Sequence, residues 1–149
     1  MSKKVLAVSS GGGHWVQLMR LKKSFVGCNQ VYVTVNADYK SYIDTDAVFY
    51  KINDATRWDK FSLVILVLRL FWIIALERPD ITVSTGAAPG YIAIRIAKLF
   101  GSKTIWIDSI ANVEKISLSG EKISKHADYC LTQWEHLQND KFVFLGKCL

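Results

Sequence analysis

A chain of 149 residues, half of them hydrophobic, is long enough for one α/β domain with a real core, spanning 1–149, and too short for two. Its formal net charge of +6 comes from Lys and Arg scattered without a block, a balance that suits an anionic membrane surface or a phosphorylated ligand. No RNA-binding signature, helix-turn-helix or zinc-finger spacing appears, so no nucleic-acid partner is expected, and three cysteines without a CxxC pair exclude a disulfide framework and fit a reducing cytoplasm.

The first predicted strand, residues 4–9, starts so near the N-terminus that no signal peptide is expected and the chain is placed on the cytoplasmic side. It leads into Ser10-Gly11-Gly12-Gly13-His14 and a helix over 14–23. Successive glycines let the backbone approach a ligand, and the amides of the turn and helix start would point at an anion, with His14 at the rim able to move a proton. The same residues also suit a tight βα turn that needs glycine for its dihedrals, with His14 merely solvated. Strands follow at 30–35 and 47–52; Asp44-Thr45-Asp46 precedes the second instead of ending a strand and reads as a solvated turn.

A helix over 58–76 is apolar on nearly every face from Phe61 to Leu76. About 16 such residues rise only ~24 Å against a hydrocarbon core of ~30 Å, and Arg69 near the middle would cost roughly 2.5–3.5 kcal/mol. A crossing would also leave the flanking strands on opposite sides of the bilayer. The expectation is a packed helix whose outer face, with Trp58, Phe61, Arg69 and Trp72, rests on a membrane interface or a partner; burial within the domain is the alternative.

Strand 80–84 opens a second flexible turn, Ser84-Thr85-Gly86-Ala87-Ala88-Pro89-Gly90-Tyr91, and a helix over 89–100 that closes before Gly101. Strand 103–108 delivers Asp108 and Ser109, with Asn112 just beyond; a helix over 120–126 and strands at 129–132 and 142–145 follow. His126 and Cys130 lack further metal ligands nearby.

This alternation predicts a Rossmann-like, doubly wound α/β domain with a mainly parallel sheet. With strand order 3-2-1-4-5, the first and fourth strands are neighbours, and ligands bind beyond their carboxyl ends. The two glycine turns then lie side by side, suited to a diphosphate, and His14, Thr85, Gly86 and Asp108 converge there. A dinucleotide oxidoreductase would need glycine where Val16 stands, and a P-loop would need Lys-Ser/Thr where His14-Trp15 stands.

The residues Ser9–His14, Ser84-Thr85-Gly86, Ile107–Val113 with Ser117–Gly120, Ala127-Asp128, Gln133-Trp134 and Leu145-Gly146 resemble, in collinear order, the Alg14-like proteins. That family includes bacterial capsule and exopolysaccharide subunits and is distantly similar to the N-terminal half of MurG-type glycosyltransferases. The resemblance implies one half of a GT-B fold, the acceptor-side subunit of an inverting hexosyltransferase of the UDP-GlcNAc or UDP-galactose class, peripheral on the cytoplasmic face of the cell membrane. An Alg13-like subunit would supply the UDP-sugar site. Carried over, Ser10, Gly11, Gly12, Gly13, Thr85, Gly86, Ala87 and Gly90 face an undecaprenyl- or polyprenyl-diphosphate-linked saccharide, and Ser109 and Asn112 line the cleft.

An inverting transfer needs a general base, for which His14 is the first candidate and Asp108 the second. Trp134 and Phe144 are expected at the partner, and no metal or other cofactor is expected. Many relatives have Glu at the position of Asp108, and no counterpart of the N-terminal anchor of the eukaryotic members is expected here, which leaves docking to the helix over 61–76 and the basic residues. A non-catalytic scaffold that only stabilises and localises the partner would need neither His14 nor the glycine turns.

Overall fold

The elements are β1 (Lys4–Val8), α1 (Gly13–Arg20), β2 (Asn29–Thr34), β3 (Val48–Lys51), α2 (Lys60–Glu77), β4 (Ile81–Ser84), α3 (Ala87–Leu99), β5 (Lys103–Ile107), α4 (Leu118–Ile123), β6 (Tyr129–Thr132) and β7 (Phe142–Phe144). Over residues 2–148, which the computed structural model describes, the seven strands form one sheet, all parallel, in the order β3-β2-β1-β4-β5-β6-β7.

Each central strand is buried on both faces, which is why it reads as a continuous apolar run. Leu6 and Val8, with Val31 and Val33, pack under α2 and α3; Val5 and Ala7, with Tyr32 and Val83, pack under α1. α4 lies beside α3 over Trp106, Cys130 and Phe142, and burial lifts the Cys130 thiol to about 11, as suits a cysteine used as a small core hydrophobe. β1 pairs with β4 so that Val8 stands opposite Ser84, and the turns after both strands emerge side by side, as the sequence predicts.

α2 starts at Lys60 because Asp59 caps it, accepting from Ser62 N (3.1 Å) and Ser62 Oγ (2.6 Å), bonds that hold its carboxyl below the usual range. It ends where Arg78 turns left-handed at φ 48°. Leu66, Leu70, Ile73 and Ile74 are buried against the sheet, while Phe61, Val64, Leu68, Trp72 and Leu76 are exposed. No described helix is long and apolar enough to cross a membrane. Glu77 ties the helix to the sheet by accepting from Lys4 Nζ (3.0 Å) and Tyr50 Oη (2.6 Å), the latter bond pushing Tyr50 up to about 12.

Two predicted helices have other bounds than expected, the first shorter and the second displaced toward the N-terminus. α1 stops at Arg20, and a 3-10 turn over Lys22–Phe25 then carries Phe25 into the core. α4 starts at Leu118 because Ser117 Oγ accepts from Gly120 N (2.9 Å). His126 falls in the exposed turn after it, Cys130 is buried, and Asp44-Thr45-Asp46 is an exposed turn. The described residues hold no group of three side chains suited to a metal.

Asp128 joins three elements, accepting from Thr104 N (2.9 Å) and Thr104 Oγ1 (3.0 Å) and pairing with Lys98 of α3. Burial raises its pKa, but these partners outweigh burial and hold it at about 2. Such a depressed carboxylate stabilises the fold above its unfolded value of 3.8, and that contribution is lost as pH falls toward 2. Asp128→Asn is expected to lower stability at neutral pH by roughly 1–2 kcal/mol and to flatten the acid limb of a urea-denaturation series below about pH 4. An unchanged acid limb would remove Asp128 from that role.

Candidate active site

Beyond β1 and β4 the two turns are bound to each other. His14 places Nδ1 2.9 Å from the Thr85 carbonyl, and Thr85 Oγ1 donates to the His14 carbonyl at 2.7 Å. A carbonyl only accepts, so Nδ1 carries the proton and the lone pair lies on Nε2. Nε2 has no protein partner among the described residues, and half-buried His14 forms part of the wall of a cleft of about 290 Å3. Gly86, at φ 128°, admits the ring, since a Cβ there would stand 2.8 Å from two imidazole atoms. Ala87, Asp108, Ser109 and Asn112 line the same cleft, so the structure unites these predicted residues.

The first glycine turn does less than its sequence suggests. Gly12 N donates to Tyr39 Oη at 3.0 Å, and Tyr39 in turn stacks on Trp15 with 4.8 Å between centroids. Ser10, Gly11, Gly12 and Gly13 are absent from the cleft lining. The second turn is also partly engaged, because Gly86 N donates to Ser84 Oγ at 3.1 Å. Gly90, expected at the diphosphate, is buried; a Cβ there would lie 1.8 Å from Ser84 Oγ, so this glycine serves the close approach of α3 to β4.

Asp108 is 2 % exposed, and its carboxylate accepts four hydrogen bonds. Trp106 Nε1 (3.1 Å) and Ser117 Oγ (2.5 Å) donate to Oδ1, while Ser117 N (2.9 Å) and Asn112 Nδ2 (3.1 Å) donate to Oδ2. Two donors on each oxygen saturate the carboxylate. The second candidate base is thereby occupied in folding the loop 109–117 beside the cleft, with Asn112 as one of its struts.

Behind that loop lies a buried amide network that the sequence reading missed. Gln17 Nε2 donates to Ser109 Oγ (3.2 Å), and Gln17 Oε1 accepts from Ile110 N (3.1 Å) and Gln133 Nε2 (2.6 Å). Gln133 also donates to the Asp108 carbonyl (3.0 Å) and accepts from Cys148 N (2.7 Å). The available signal for Gln17 was an amide beside Leu18 on the inner face of α1; Gln133 stood in the family motif without a role. Trp134, expected at a partner, is half-buried and donates Nε1 to the Ile110 carbonyl (2.8 Å), pinning the same loop; Phe144 is half-buried on edge strand β7. Trp58, Phe61 and Trp72 are exposed on and beside α2, and exposed Arg69 donates Nε to the Lys51 carbonyl (3.0 Å).

Among solved structures, MurG of Acinetobacter baumannii is similar to the chain at a TM-score of 0.77 and 13% identity, over 95% of this chain and 45% of that one. UDP-N-acetylglucosamine 2-epimerase of Rickettsia bellii is similar at 0.73 and 14%, over 99% and 46%. The chain thus spans about half the length of these structures, and the likeness shows a Rossmann-like fold resembling half of a GT-B glycosyltransferase. In sequence it is 26% identical over 176 residues to the UDP-N-acetylglucosamine transferase subunit ALG14 of Rattus norvegicus, covering 96% of this chain and 82% of the relative. For the Homo sapiens protein of the same name the figures are 24% over 179 residues, 98% and 83%. The family model described as "Oligosaccharide biosynthesis protein Alg14 like" matches residues 51–147, from β3 through Asp108, Gln133 and Trp134, and the chain belongs to that family.

Proposed function

We propose that this chain is the acceptor-side subunit of a two-component, UDP-sugar-dependent hexosyltransferase, active with an Alg13-like partner that binds the nucleotide sugar. The observation that carries the reading is His14: Nδ1 is committed to the Thr85 carbonyl, leaving the Nε2 lone pair without a protein partner among the described residues, in a residue of the cleft wall. Supporting it are the half-length match to GT-B structures and relatives named as UDP-N-acetylglucosamine transferase subunits, which favour UDP-GlcNAc over UDP-galactose as donor. The acceptor in this reading is an undecaprenyl- or polyprenyl-diphosphate-linked saccharide, and the resemblance to capsule and exopolysaccharide subunits supports a role in surface polysaccharide assembly.

In the inverting transfer an acceptor hydroxyl attacks the anomeric carbon, and the new C–O bond forms as the bond to UDP breaks with its electron pair. His14 Nε2 takes the hydroxyl proton, and the Thr85 carbonyl steadies the resulting imidazolium through Nδ1–H. Asp108 acts as a positioning residue, through Asn112 and Ser117, and Gln17 with Gln133 holds Ser109 in place. The leaving diphosphate belongs to the partner's half, which meets this chain near Trp134 and Phe144.

The apolar face of α2, with Trp58, Phe61 and Trp72 exposed and Arg57, Lys60 and Arg69 beside it, suits a monotopic contact with the cytoplasmic face of the cell membrane. Replacing Trp58, Phe61 and Trp72 together by Ser is expected to abolish co-sedimentation with phosphatidylglycerol vesicles while leaving the thermal melt intact; retained binding would assign this face to a protein.

In the reconstituted pair, His14→Ala is expected to lower turnover by about 10²–10⁴-fold without changing assembly. Near-normal turnover in that variant would favour the scaffold reading. Asp108→Ala should behave differently, losing roughly 3 kcal/mol of stability because four donors lose their acceptor, a fall of about 6–12 °C in Tm. An unchanged Tm would return Asp108 to the list of candidate bases.

A further inference from the structure

Three hollows meet at one residue. Ser119 of α4 lines the His14 cleft, a second hollow of about 500 Å3 and a third of about 380 Å3. The second is bordered by Arg57, Lys115 and Ala88 at the start of α3. The third lies among α2, α3 and α4, lined by Leu63, Val67, Tyr91, Ile92 and Leu118, with Arg57 and Lys122 at its border.

The chemistry changes in order along this row. At one end is an imidazole with a bare lone pair. Next come two cations, then an apolar groove. Arg57, Lys115 and Lys122 have no carboxylate partner among the described residues, and no carboxylate lines the second or third hollow. Leu63 and Val67 share the α2 edge that continues, at helical spacing, into exposed Val64 and Phe71, so one wall of the groove runs into the outward apolar face.

We infer that the acceptor's prenyl diphosphate lies along this row: the acceptor sugar at His14, the diphosphate between Arg57, Lys115 and the start of α3, and the first isoprene units in the α2–α3–α4 groove. This rests on the acceptor-side reading and moves the diphosphate away from the first glycine turn, where Tyr39 already occupies the Gly12 amide. The order base, cation, apolar groove matches the order sugar, diphosphate, prenyl, which a free sugar phosphate would not require. The remaining prenyl chain leaves along α2 toward the lipid.

The test is calorimetric titration of the full chain with farnesyl diphosphate, inorganic pyrophosphate and farnesol. Farnesyl diphosphate is expected to bind at least about tenfold more tightly than either part. Arg57→Ala combined with Lys115→Ala should weaken farnesyl diphosphate and pyrophosphate alike, by about tenfold or more. Val67→Trp, at a position 40% exposed where a larger side chain is tolerated, should fill the groove and weaken farnesyl diphosphate alone. Circular-dichroism melts check that each variant is folded. Undiminished farnesyl diphosphate binding in both variants overturns this placement and leaves the acceptor reading standing. Equal affinity for pyrophosphate and farnesyl diphosphate marks a free-phosphate site and overturns it too, and no binding of farnesyl diphosphate by the unmodified chain overturns both readings.

Discussion

Two hydrogen bonds between residues 14 and 85 hold the switch point together. Each joins one βα turn to the other, and together they make the ends of β1 and β4 a single rigid unit. Their individual contribution is ordinary, about 1 kcal/mol each. Their consequence is chemical: with the Nδ1 proton assigned to a carbonyl, the imidazole has one tautomer and one free lone pair. The arrangement depends on parallel pairing of β1 with β4 and on Gly86, where any side chain would meet the ring.

Beside that open nitrogen, the carboxylate of Asp108 and the amides of Gln17 and Gln133 are all engaged. Asp108 is saturated, and Gln17 and Gln133 bond to each other and to the backbone of the same loop. Inside a low-dielectric core a fully connected network is stiff, because breaking any link leaves a buried polar group unpaired. The cleft therefore pairs a rigid, hydrogen-bonded floor with the open imidazole nitrogen, a division that suits the proposed task of positioning an acceptor and moving one proton.

Much of the fold was legible from local pattern. Continuous apolar runs marked the strands, the glycine turns marked the ends of β1 and β4, and the alternation of strand and helix fixed the parallel order from which the convergence of His14, Thr85 and Asp108 followed. What stayed hidden depends on partners distant in sequence. The occupation of the Gly12 amide is set by Tyr39 in a 3-10 turn over Ala37–Tyr42, and the need for Gly90 is set by Ser84 across a helix–strand contact. The joint work of Gln17 and Gln133 spans 116 positions. Arg57 sits in an irregular segment before α2, with no periodicity to place it beside Lys115.

On the proposed function, the apolar face of α2 and the His14 cleft are parts of one arrangement, in which the acceptor arrives from lipid and the donor on another chain. In the proposed reaction His14 Nε2 receives the acceptor proton. A structure of the reconstituted pair with a lipid-diphosphate acceptor and UDP tests it most directly. The reacting acceptor hydroxyl is expected within about 3 Å of His14 Nε2, with Nδ1 still on the Thr85 carbonyl. An acceptor hydroxyl held instead by a side chain of the partner, with His14 Nε2 facing only solvent, would contradict it.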